Sequence, residues 1–136
     1  MTKKNGKKFR MVKLEINLRV TDEDIDDIMS TALDSMLLQT WCSEVNVVGK
    51  YLGEYASEQI SRGGEIWLYD MDDESYYSLD KEKLLKGIKK YISMYGDPTG
   101  FLYRIDGELG LDCGQIDELV SDCMIQCALF DDIVYG

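Results

Sequence analysis

Histidine is absent from the 136 residues, and that absence removes several chemistries at once. Ser-His-Asp and Cys-His nucleophilic sites, the HExxH zinc site and the 2-His-1-carboxylate iron site all need an imidazole that this chain does not carry. Proline occurs once, as Pro98, and no low-complexity linker or internal repeat divides the sequence. Apolar runs never exceed a few residues, too short for a transmembrane helix. The basic start Met1–Arg10 is not followed by an apolar core, so a secretory signal is not expected and a cytoplasmic location is. The four cysteines make no CxxC pair and read as reduced thiols. Gly107-Glu-Leu-Gly110 has neither the spacing nor the lysine of a phosphate-binding loop.

What remains is an acidic chain of ordinary apolar content, 45% hydrophobic, long enough for one core without staples. The net charge is −11, but six of the 15 basic residues lie in residues 1–13, which contain no acid. The rest holds 9 basic against 26 acidic residues, a net of −17. Such a field repels nucleic-acid phosphates and favours a basic partner or cations. No direct nucleic-acid binding by the body and no membrane association are expected. Residues 1–10 read as a flexible basic tail, and 11–136 as a single α+β domain. Met11 is a candidate second translation start, which would make the tail dispensable.

Within that domain the pattern predicts an N-terminal strand, an aromatic β-hairpin and three to four helices. Val12, Leu14, Ile16, Leu18 and Val20 alternate with polar residues, the cleanest strand period in the chain. Thr21 suits an N-cap for a helix running to about Leu38, whose apolar face is Ile25, Ile28, Met29, Ala32, Leu33 and Met36. Residues 39–50 carry no dominant period and read as a loop with a short extended piece. Tyr51 to Arg62 reads as helical and ends at Gly63-Gly64. Ile66–Tyr69 and Tyr76–Leu79 form a hairpin around the acidic turn 70–75, expected to be the packing centre, with at least one aromatic exposed on each strand. Ser78 or Asp80 caps a helix from Lys81 to Tyr95. Gly96-Asp-Pro-Thr-Gly100 breaks it. Residues 101–114 read as a long loop, and a last helix covers about Gly114 to Phe130.

Three constellations could carry chemistry. Cys123 and Cys127 lie four apart on the last helix, near Cys113 in sequence; a zinc or redox role competes with the commoner fate of buried cysteine, which is core packing. Asp70, Asp72 and Glu74 alternate as in a calcium loop, but Ser75 stands where the turn glycine belongs and Lys81 where the bidentate glutamate belongs. The same carboxylates could hold Mg²⁺ for hydrolysis. Yet they fall on a helix start and a loop tip, where solvated acids are ordinary. No catalytic residue, metal ligand or cofactor is therefore assigned. The third reading treats the acids as a surface that imitates the charge of a nucleic acid and occupies a basic channel. Its residues are Asp22, Glu23, Asp26 and Asp27 at the first helix start, and Asp70, Asp72, Asp73 and Glu74 at the hairpin tip. Tyr69 and Tyr76 would be its aromatic anchors.

The run Val47-Val-Gly-Lys-Tyr-Leu-Gly-Glu-Tyr-Ala-Ser-Glu-Gln-Ile-Ser-Arg-Gly-Gly64, with the Thr21–Ile28 opening and the Cys127–Gly136 close, resembles small proteins of phages, prophages and conjugative elements in Firmicutes. The likeness covers most of the body and not the basic tail. It implies a mobile-element setting in a bacterial host, and accessory proteins of such elements include antagonists of host defence of the anti-CRISPR type. The expectation is a non-enzymatic inhibitor of a defence nuclease such as a Cas effector, acting as monomer or homodimer. The alternatives are a structural or regulatory interaction module of the element, or a metal-dependent hydrolase.

Overall fold

A computed structural model describes residues 2–4 and 6–136, the side chains of residues 2–4 excepted. The chain is a single α+β arrangement. Among the described residues no helix is long and apolar enough to cross a membrane. Within the segment read as a tail, β1 (Thr2–Lys4) and β2 (Lys7–Phe9) pair antiparallel with each other and with no strand of the body.

The expected N-terminal strand is corrected. Only β3 (Leu18–Arg19) joins a sheet, parallel to β8 (Glu108–Leu111), while residues 11–17 are exposed and outside any ladder. A period of two is necessary for a half-buried strand but supplies no partner for its backbone. The partner β8 belongs to a hairpin with β7 (Leu102–Ile105), in the stretch expected to be a loop. Asp106 and Gly107 turn it with φ of 49° and 78°, as a two-residue type I′ connection requires.

Thr21 caps α1 (Asp22–Leu33): its hydroxyl accepts from the Asp24 N–H at 3.0 Å, and the Asp24 carboxylate accepts from the Thr21 N–H at 2.9 Å. The expected single helix to Leu38 is broken at Asp34. Ser35 leaves the helical conformation and caps α2 (Met36–Gln39), its Oγ accepting from the Leu37 N–H at 3.0 Å. Met36 consequently points to solvent.

The short extended piece expected within 39–50 is β4 (Cys42–Val47), which pairs antiparallel with β5 (Ile66–Asp70), with an irregularity between Cys42 and Glu44. The expected helix from 51 to 62 is absent, reduced to a 3₁₀ turn at Ala56–Glu58. Side chains have taken the backbone groups a helix would use. Glu58 Oε1 accepts from the N–H groups of Glu54 and Tyr55, and Gln59 accepts from Leu52 N–H while donating to Lys50 O. Gly63, at φ 87°, ends the segment as anticipated.

The aromatic hairpin forms. Strand β5 pairs with β6 (Ser75–Leu79) around the 71–74 turn, Leu68 opposite Tyr77 and Tyr69 opposite Tyr76. Asp80 then caps α3 (Lys81–Tyr95), accepting from the Lys83 N–H at 2.9 Å.

The packing centre, however, is α4 (Glu118–Phe130) rather than the hairpin. Every residue from Val120 to Cys127 is buried, so this helix is enclosed by its neighbours, among them α1, α2, α3 and β6. Ile28, Leu68, Leu79, Leu84, Ile88 and Met124 are among its core, all at most 1% exposed.

Candidate functional site

Burial alternates along the hairpin, and the register decides which side chains share a face. Asn46 lies opposite Trp67 and Glu44 opposite Tyr69 on one side of β5; Ser78 and Tyr76 face the same two residues on the other. These six form the outer face of the sheet, while Val45, Leu68 and Tyr77 share the inner one. Trp67 is 46% exposed and Tyr76 50%, so each hairpin strand does present an aromatic to solvent. The Tyr76 ring lies 4.8 Å from Tyr69 and 6.1 Å from Trp67, a continuous three-ring platform. Tyr76 donates its hydroxyl to Glu44 at 2.6 Å, and that bond above all raises the phenol pKa. The raised pKa keeps the Tyr76 hydroxyl protonated, and so a donor, at neutral pH.

The turn at the end of the hairpin carries Asp72, Asp73 and Glu74, all exposed. Tyr77 donates to Asp73, and Glu74 adopts φ 56° to close the turn. Asp70 is the exception, and its expected place at the exposed tip is corrected. Its side chain points to the inner face, only 1% exposed, accepting from the Tyr135 hydroxyl at 2.6 Å and the Asp72 N–H at 2.9 Å. Even alternation from Leu68 puts it there.

The α1 cluster stands elsewhere. Lys81, just beyond the end of β6, reaches Asp22 at 3.1 Å. The helix start therefore lies at the end of β6 remote from the turn, a separation of roughly 13 Å along the strand. Asp22, Glu23 and Asp27 are exposed, but Asp26 is half-buried and accepts from Ser61 Oγ at 2.5 Å. Glu23 and Asp27 instead border an open recess of about 600 Å³ with Asp24, Asp112, Tyr103 and Cys113. The hairpin tip and the helix start thus form two acidic surfaces.

Cys113 borders the helix-start surface, its thiol donating to Asp24 at 3.6 Å, whereas Cys42, Cys123 and Cys127 lie in the core. Burial, then the neighbouring Asp24 carboxylate, pushes the Cys113 thiol up to about 12. Burial likewise holds Cys123 and Cys127 at about 11. They are protonated at neutral pH and poor nucleophiles. Among the described residues, no three Cys, Asp or Glu side chains converge closely enough to hold one metal ion.

Trp67 and Glu44 are site residues that the sequence reading missed. Alternation places Trp67 with Tyr69, but Glu44 joins them only through β4, whose existence no period announces. No family model, curated protein or solved structure matches the chain.

Proposed function

We propose that this protein is a non-enzymatic binding module that presents the outer face of the β4–β5–β6 sheet to a basic protein surface. The carrying observation is the exposed Trp67–Tyr76–Tyr69 platform, bordered by Glu44, with the exposed acids Asp72, Asp73 and Glu74 in the turn at the end of the same hairpin. An arginine of a partner stacks on such rings while neighbouring carboxylates neutralise its charge. A nucleic-acid channel offers both basic and stacking groups, since it is built to hold phosphates and bases. With the −17 body supplying long-range attraction, this reading extends to competitive occupation of such a channel. Together with the resemblance to mobile-element proteins, it makes the partner a host defence nuclease, a Cas effector being the first to try, in the cytoplasm of a bacterial host. Asp22, Glu23 and Asp27 contribute to the field from a second flank; Asp70 has no part in the contact.

The test is capture and cleavage inhibition against a panel of defence nucleases at low and high salt. One nuclease should bind, more weakly at high salt. Trp67→Ala with Tyr76→Ala, and separately Asp72→Asn, Asp73→Asn and Glu74→Gln together, should each reduce affinity at least tenfold. Failure to bind any member, or binding indifferent to both sets of changes, would sink the proposal.

A further inference from the structure

Residues 11–17 carry the clearest strand pattern in the chain, yet they lie outside any ladder among the described residues. Leu14, Ile16, Leu18 and Val20 all line one groove, of about 720 Å³, with Leu85 and Ile92 of α3 across from them. Lys13 and Glu15 meet each other at 3.2 Å, as side chains two apart on one face of a strand do. The segment is therefore disposed as a strand. Yet Met11, Val12 and Leu14 are 82%, 79% and 79% exposed, and the backbone of residues 11–16 makes no hydrogen bond to another described residue. It runs directly into β3, an edge strand paired only with β8. An open edge with a row of exposed apolar side chains is a template for another strand.

We propose that residues 11–17 pair antiparallel with the same residues of a second copy of this chain, across a two-fold axis at Leu14. Charge selects both the occupant and the register. Residues directly opposite in an antiparallel pair share a face, so an odd sum of residue numbers sets apolar against polar and is excluded. An axis at Lys13 or at Glu15 puts like charges opposite each other, and one at Ile16 sets Lys13 against Arg19. With the axis at Leu14, Lys13 of each copy faces Glu15 of the other. On the opposite face Leu14 meets Leu14, and Val12 meets Ile16. The strand is self-complementary in charge as well as in apolar pattern, as an isologous interface must be. The new pair joins two β3–β8–β7 sheets edge to edge. This surface is separate from the aromatic platform, so dimerisation and nuclease binding fail or hold independently.

Sedimentation of the full chain over a range of concentrations tests it. A reversible monomer–dimer equilibrium is expected. Leu14→Asp should raise the dissociation constant at least tenfold, and because Leu14 is largely exposed it should leave thermal unfolding of the monomer unchanged. Lys13→Glu and Glu15→Lys should each weaken self-association at least tenfold. Mixed in equal amounts, those two variants should form a heterodimer as tight as the original homodimer. A chain that stays monomeric throughout, a dimer insensitive to these changes, or charge variants that do not rescue each other on mixing would each overturn the assignment.

Discussion

Asp122 is a carboxylate enclosed within α4, 4% exposed, accepting from Trp41 Nε1 and from Gln126 Nε2, each at 2.9 Å. Gln126 in turn accepts from the N–H groups of Val134 and Tyr135 and donates to Tyr135 O, so this one amide pins the C-terminal turn onto the helix. Burial raises the Asp122 pKa, outweighing the two donors that lower it. The folded state therefore keeps the Asp122 proton at a pH where the unfolded chain has released it. Its contribution to stability is full below the unfolded value, about 3.9, and is lost as pH rises through the folded one. The stability of the wild type relative to Asp122→Asn, followed by urea unfolding, should accordingly fall as pH rises above about 4. A difference that stays flat or grows with pH would contradict the assignment. Nothing in the local sequence marks Asp122 or Gln126 as interior residues; their partners come from 81 positions upstream and from the C-terminal turn. Asp70 is the same case, an acid in an acidic run whose inward direction follows from strand alternation.

Helices α3 and α4 owe their close approach to Gly87. A Cβ at that position would lie 2.6 Å from Ala128 Cβ and 2.6 Å from the Met124 carbonyl oxygen. Because one of those atoms is backbone, the helices must separate to admit it. Alanine's helix propensity offers about 1 kcal/mol in compensation, whereas overpacking that moves backbone costs about 1–3 kcal/mol. Gly87→Ala should thus destabilise the fold, by up to about 2 kcal/mol. In urea its midpoint should drop with the slope unchanged; a midpoint at or above that of the wild type would show that the helices yield freely. At this scale the caps and the hairpin were legible because each is a local signal: Thr21, Asp80, Gly63 and the paired aromatic runs act within a few residues. The missed elements depend on partners that no hydrophobic period announces. Strand β4 exists because β5 presents an edge to it, and the 51–62 helix fails because Glu58 and Gln59 turn back onto backbone groups. The Asp106-Gly107 dipeptide was a local signal for β7–β8 and carries the weight a two-residue turn should.

For the molecule as a whole, charge is the dominant departure from an ordinary domain. Six ion pairs join described residues, all at least partly open to solvent, against a net charge of −11. Exposed pairs contribute little, about 0–1 kcal/mol each, so repulsion among the excess carboxylates outweighs them. Raising NaCl from about 20 mM to about 500 mM should therefore increase the melting temperature, by a few degrees, through screening. A decrease would mean that the ion pairs matter more than the repulsion.

Composition and local pattern by themselves determined the α+β class, the lack of imidazole chemistry, the acidic field, the first helix start and the aromatic hairpin. Each is either a sum over the chain or the work of residues within one turn of each other. Tertiary structure alone decided that α4 is the centre, that Glu44 joins Trp67, Tyr69 and Tyr76, and that the two acidic clusters stand apart. It also decided that most of the best strand pattern in the chain, residues 11–17, lies outside any ladder among the described residues. Those outcomes turn on which edge meets which and in what register, quantities that no window along the sequence contains.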